Sequence, residues 1–509
     1  MPSLRPLLNP ILGPALRQPE RVSTDTVIQL SALDRSWMMR MMIMSWSMCF
    51  HDVLDPEMLH ASLSQLLTIG NWRKLGGRPR LADDGKLELH IPEAFSPSRP
   101  AVHFTTEPNP SSVMSHPLAS TIPSLFSHST DALSRPHILD TPLTLTPILA
   151  GPEAPTMFSD YTTTDRPLIS LHVITFNDAT FVTITYPHSA TDGMGRKELV
   201  ENWCRVLAGK KEDVKPLADL TFDPMAKIAR SEEQRYNEPF LLEHKRLRGC
   251  GKLRFTFNLL WYLLTNRIRQ RNLFIPASCL QSLRQSAEAD ISQSPEAAIR
   301  LSDSDILTTW LVRLACSHIP KSSPTKPIAI STALDLRGRL HEEDMPTDVA
   351  YVSNLVAYNW TSTTAREFLH GLFGKAAVLI RDSVRSQLTD AQVYASTRLT
   401  YNAVAESGST NQFTEPNGFV VSVSNVSKAR FHEVIEFSPA IVKAEARDVE
   451  EERTPPRGRI VWQCNTPRMR MHPPCLVYIQ GKDHAGNYLA QMLVAEKTWR
   501  VIEETISAM

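Results

Sequence analysis

The stretch Phe181-Val-Thr-Ile-Thr-Tyr-Pro-His188-Ser-Ala-Thr-Asp192-Gly193-Met-Gly195 constrains this chain more than any other. Phe181 to Tyr186 alternates bulky with small residues and is rich in β-branched and aromatic types, the pattern of a strand. Leu199, Val200, Trp203, Cys204 and Leu207 recur at helical spacing, which predicts an amphipathic helix over 196–208. A strand that ends in Pro-His and turns sharply into a helix presents the histidine at the edge of the element, where the ring can face a cavity. An ordinary imidazole titrates at about 6.5, so it can take and return a proton near neutral pH.

Asp192 has two readings. It is the N-cap of the helix, accepting bonds from free backbone amides, or it holds the turn by pairing with a distant arginine. Neither makes it a chemical participant, so His188 is the proton-transfer candidate here and no His–Asp catalytic pair is required. The spacing His-x-x-x-Asp is weak alone. It recurs at His51-Asp-Val-Leu-Asp55, where it leads into a helix at 56–67. Context separates the two copies: a strand before, a glycine after, then a good helix. The other reading of His188 is a structural histidine capping a strand.

At 509 residues with 42% apolar composition the chain buries ample core and is long enough for two domains or more. Lysine plus arginine equals aspartate plus glutamate at 54 each, a balance that supports neither nucleic-acid binding nor general adhesion to anionic membranes. The seven scattered cysteines have no CxxC spacing, which argues against a disulfide framework or a zinc site and for a reducing cytosol. The N-terminus lacks the charged-then-apolar order of a signal peptide. Trp37 to Phe50 is apolar but interrupted by Arg40 and too short to span a bilayer, so it reads as a buried strand with methionine as core filler. A soluble, cytoplasmic protein is expected. No phosphate-binding glycine loop, GxSxG elbow or HExxH run is present, so nucleotide, serine-hydrolase and metalloprotease chemistry lack sequence support.

Along the chain, residues 1–25 read as a surface segment. Prolines, serines and threonines crowd 94–167, as in Pro142 to Pro147, and predict extended loops that serve as a lid or a variable insertion, or else a disordered linker. Pro167–Phe176 and Phe181–Tyr186 form a hairpin around Asn177-Asp178 that delivers His188. The charged stretch 209–252 reads as a solvated crossover. Strands are expected at 272–276, 327–336, 349–360, 418–425, 459–464 and 475–481, and helices at 277–289, 304–317, 364–388 and 486–507, with 445–459 an exposed loop.

His188-Ser-Ala-Thr-Asp192-Gly193 resembles the HxxxDG signature of the BAHD family of coenzyme A-dependent acyltransferases. Leu30-Ser-Ala-Leu-Asp34, the helix and hairpin within 63–89, Leu301 to Trp310, Asp335-Leu-Arg337-Gly-Arg339 and Tyr351-Val-Ser-Asn354 resemble further family elements in the family's order. The second signature, DFGWG, has no clean copy. Its nearest equivalent is Glu436-Phe437-Ser438-Pro439, which fits the divergent fungal acyltransferases of secondary metabolism, such as the trichothecene acetyltransferase type.

The resemblance implies an α/β fold of two chloramphenicol-acetyltransferase-like domains, each a mixed sheet flanked by helices, with the active site at their interface. The N-terminal domain is expected over 1–208, a crossover over 209–270 and the C-terminal domain over 271–509. The implied reaction moves an acyl group from acyl-coenzyme A to a hydroxyl (or amine) of a small metabolite, with His188 as general base and no covalent acyl-enzyme. Acyl-coenzyme A is then a co-substrate, no cofactor or metal is tightly bound, and a monomer is the usual form. Arg337 is expected to clamp Asp192 and Gly193 in place, with Arg339 the alternative. Ser424 and Asn425, at a strand end that in the family supplies donors near the reacting carbonyl, are oxyanion or substrate candidates, or an ordinary turn. The 209–252 cations could also meet coenzyme A phosphates. The rival functions are a carrier-protein-dependent condensation-type enzyme, whose usual second histidine is replaced here by Pro187, and a non-catalytic scaffold of the same fold.

Overall fold

Every residue from Thr180 to Pro187 is buried, because this strand lies in the middle of a sheet rather than at its edge. The computed structural model describes residues 17–116, 135–139, 146, 148–233, 237–444, 456–469 and 473–509. The central sheet of the first half has five strands in the order Trp462–Met469, Met42–Phe50, Thr180–Pro187, Ser170–Thr175, His103–Pro108. All pairs are antiparallel except the last. Alternation sorts the strands into two faces. Val182, Ile184, Tyr186, Trp46 and Met48 join the apolar core with helices Pro56–Leu66 and Gly193–Leu207. On the other face small polar residues pair across the strands, Thr183 with Ser47 at 2.9 Å and Ser45 with Thr185 at 3.2 Å.

The second sheet has seven strands in the order Val356–Thr364, Pro327–Asp335, Phe419–Asn425, Leu476–Lys482, Tyr488–Ala495, Ile268–Ile275, His137–Leu139. It is mixed: Phe419–Asn425 runs parallel to both its neighbours and the other pairs are antiparallel. Helices Ala277–Ile291, Asp303–Ala315, Phe373–Gln387 and Glu496–Ser507 cover it and share its core. Ser302 opens the third-quarter helix with a capping box to Asp305. Each half lends a strand to the other's sheet: Trp462–Met469 lies beside Met42–Phe50, and His137–Leu139 beside Ile268–Ile275.

Several elements differ from the sequence reading. Trp37–Arg40 is a helical turn capped by Ser36, and the strand starts only at Met42. The helix expected over 364–388 is two, Ala365–Leu369 and Phe373–Gln387, broken at Gly371. Tyr488–Ala495 is a strand, not the start of the last helix; its apolar run is buried between two partners, and such a run has no period to tell strand from helix. The strand Ile268–Ile275 starts inside the segment read as crossover, which also holds helices Pro224–Arg230 and Gly249–Thr265. Residues 1–16, 142–145, 147 and 445–455 lie outside the described residues. Among the described residues no helix is long and apolar enough to cross a membrane.

Candidate active site

His188 is the first residue after its strand, and its backbone is fixed from two sides. Its N–H donates to the carbonyl of Met42 at 2.9 Å. Its carbonyl accepts from the Asn354 amide at 2.8 Å, which reaches over from the second half of the chain. The same Asn354 amide donates to Asp34 at 2.7 Å, and the Asn354 backbone N–H donates to the same oxygen at 2.9 Å. Asp34 is buried, and burial pushes its carboxyl up against the opposing pull of Lys74 and the Asn354 bonds. Lys74 in turn donates to Ser353 at 2.6 Å. The turn is thus seated on a polar cluster built from three distant segments.

The His188 ring is half-buried and its Nδ1 has no hydrogen-bond partner among the described residues. Burial lowers its pKa below the ordinary value, opposed by its backbone environment and by the carboxylates of Asp192 and Asp34. The imidazole is therefore neutral at neutral pH, the state a general base requires.

Asp192 uses both oxygens for structure. Oδ1 accepts from the N–H groups of Met194 (3.0 Å) and Gly195 (2.8 Å), capping helix Gly193–Leu207. Oδ2 accepts from the Leu355 N–H at 2.9 Å and from Arg337 Nη1 at 3.1 Å. The two roles left open by the sequence are played at once. Arg337 also donates to Asp335 (2.8 Å) and to the carbonyls of Tyr351 (3.0 Å) and Ser353 (2.7 Å). Burial opposes its charge, but Asp192 and Asp335 more than offset that and hold it protonated. The glycines beside the aspartate serve close approach. A Cβ at Gly193 would lie 2.5 Å from Val426, and one at Gly195 would run into the Val352 carbonyl and the Thr191 hydroxyl.

That Val426 contact brings the end of strand Phe419–Asn425 to the helix N-terminus. Ser424 is partly exposed there, and its hydroxyl has no partner among the described residues. Asn425 differs. Its carbonyl accepts from the Ser427 N–H (2.9 Å) and hydroxyl (2.6 Å), and its amide donates to Ser304 at 3.1 Å, so the side chain is committed to the turn.

Arg196 was missed by the sequence reading. It is buried on the inner face of the motif helix, stacked over Trp46 (4.3 Å) and Phe431 (4.6 Å). It donates to the hydroxyls of Tyr186 (3.4 Å) and Tyr478 (3.3 Å), joining the two sheets beside the histidine strand. Its position four residues after Asp192, among apolar helix positions, was the available sign. Phe437, in the segment that stands for the missing DFGWG, is fully buried against Phe50 (5.2 Å) and Trp203 (4.6 Å), behind the same helix.

Two mixed sheets meeting beside a neutral histidine on a strand-to-helix turn define the two-domain acyltransferase fold. The structure of TRI101 from F. graminearum, solved with coenzyme A and T-2 mycotoxin, matches with a TM-score of 0.65 over 94% of this chain and 97% of that one, at 13% identity. In sequence, acetyltransferase adrJ of Penicillium rubens is 32% identical over 499 residues, covering 96% of this chain and 97% of the relative. A protein named transcriptional regulator calD, from Penicillium decumbens, is 33% identical over 491 residues, covering 96% of each. The sequence profile of the Transferase family matches residues 154–437. The chain belongs to this family, the BAHD acyltransferases.

Proposed function

We propose that the protein transfers an acyl group from acyl-coenzyme A to a hydroxyl of a small secondary metabolite, with His188 as general base. Family membership makes it an acyl-coenzyme A-dependent acyltransferase acting on small metabolites. The observation that carries the residue assignment is the neutral, half-buried imidazole on a turn clamped from both halves of the chain.

The acceptor oxygen attacks the thioester carbonyl as His188 removes its proton. The tetrahedral oxyanion that forms is met by donors, among which Ser424 is the candidate whose hydroxyl has no partner among the described residues. Collapse breaks the carbon–sulfur bond, and the imidazolium returns its proton to the departing thiolate. Asp192, Gly193 and Arg337 hold the turn, and Asn425 acts through the fold of its own turn rather than as a donor. Nothing in this sequence of steps needs an acyl-enzyme, and burial holds the Cys204 thiol, on the motif helix, at a pKa of about 12.

In this reading 1–208 carries the HxxxDG turn, 209–270 crosses over and 271–509 completes the site, with donor and acceptor entering from opposite sides. The protein works as a cytoplasmic monomer. Free acyl-coenzyme A is the expected donor, because Pro187, where condensation enzymes carry a second histidine, is built into the strand opposite Ile43. The test is acyl transfer to a metabolite extract from free acyl-coenzyme A or from an acyl carrier protein. Turnover with the free thioester is expected; turnover only with the carrier, or with neither, would overturn the reading.

A further inference from the structure

Helix Gly249–Thr265 has no buried residue along its whole length, although nine of its residues are large and apolar or aromatic. It rests on the body through Phe255, against the Phe240, Trp360 and Phe413 cluster, and through Tyr262, 5.6 Å from Phe419. The opposite side carries Leu253, Phe257, Leu260, Trp261 and Leu264, from 50% to 83% exposed. Their spacing of i, i+4, i+7, i+8 and i+11 sets them in one outward stripe. A stripe of this size on a soluble surface marks an interaction site.

The charge around it identifies the partner. From His244 through Ala287 the chain has no aspartate or glutamate and nine lysines or arginines, a local excess hidden by the neutral total. Lys252 and Arg254 at the start of the helix and Arg267 beyond its end are exposed beside the stripe. Four of the nine are engaged, Arg246 and Arg248 by Glu243, Arg271 by Glu503 and Arg284 by Asp303, which leaves the cations beside the stripe to carry the excess. An isologous contact with a second copy would set identical cationic rims together with no carboxylate from this segment between them. An anionic bilayer satisfies both features: apolar side chains enter the acyl boundary, Trp261 sits at the headgroup level and the cations meet phosphates.

We propose that helix Gly249–Thr265 is an interfacial anchor that lays the protein on an anionic membrane surface without spanning it. The proposal goes beyond the acyl-transfer reading and stands independently of it. The test is flotation of the full chain with phosphatidylcholine vesicles, with and without about 30% phosphatidylserine. Wild type is expected to float with the anionic vesicles about tenfold more strongly than with the neutral ones, and to lose this preference at about 0.5 M salt. The exposed double variant Phe257→Asp/Leu264→Asp is expected to stay unbound with an unchanged melting temperature. Lys252→Glu/Arg254→Glu is expected to bind both vesicles alike. Failure of wild type to float, or flotation of the Asp double variant equal to wild type, would overturn the proposal. So would a wild-type dimer in light scattering that the Asp pair turns into monomer while vesicles bind neither.

Discussion

As the proposed base, His188 stays deprotonated over a wider pH range than a free imidazole, because burial lowers its pKa. The acid limb of kcat/KM is predicted to lie below the ordinary value of about 6.5, read from a pH–rate profile; a limb above it would contradict the neutral, desolvated ring. The sign for stability is the same. The folded state binds fewer protons than the unfolded chain in that window, so this contribution is full above the unfolded value and is lost as pH falls through the folded one. Asp192→Ala leaves the Arg337 cation buried without its cross-domain partner. It is predicted to cost about 3–5 kcal/mol in denaturant unfolding, whereas Arg339→Ala, at a side chain with no hydrogen bond among the described residues, is predicted to stay within about 0.5 kcal/mol. His188 and Asp192 were legible because strand, turn and helix are contiguous. Tyr351-Val-Ser-Asn354 was recognisable as a family element, but the bonds Asn354 makes, and the one from Arg196 to Tyr478, were not, because they join residues 166, 320 and 282 apart in sequence.

Elements with a clear period were read well, and those without one were not. The alternation before His188 and the 3.6-residue stripe after it became a strand and a helix within a few residues of expectation. The uniform apolar run Tyr488–Ala495 did not declare itself, since burial on both faces erases alternation. The motif helix depends on close contact at its start and on packing behind. Gly195→Ala is predicted to destabilise by about 1–3 kcal/mol through the Val352 carbonyl, seen as a lower denaturant midpoint. Phe437→Ala removes a ring wedged between Phe50 and Trp203 and is predicted to cost about 3–5 kcal/mol while the remaining folded protein keeps its kcat. Equal losses of kcat and stability would place that segment in the chemistry instead.

For the whole molecule, composition spoke to size and overall charge but not to where charge and apolar surface lie. The exchange of strands Trp462–Met469 and His137–Leu139 between sheets ties the halves together through strand pairing, which no local pattern announces. The two sheets meet through Arg196 and Tyr478, and the second half grips the histidine turn through Asn354 and Arg337. In the proposed reaction His188 removes the acceptor's proton. Its most direct measurement is acceptor-dependent thiol release from acyl-coenzyme A, wild type beside His188→Ala. The variant, with an unchanged melting temperature, is expected to lose at least about a hundredfold in kcat. Equal rates in the two proteins would contradict it.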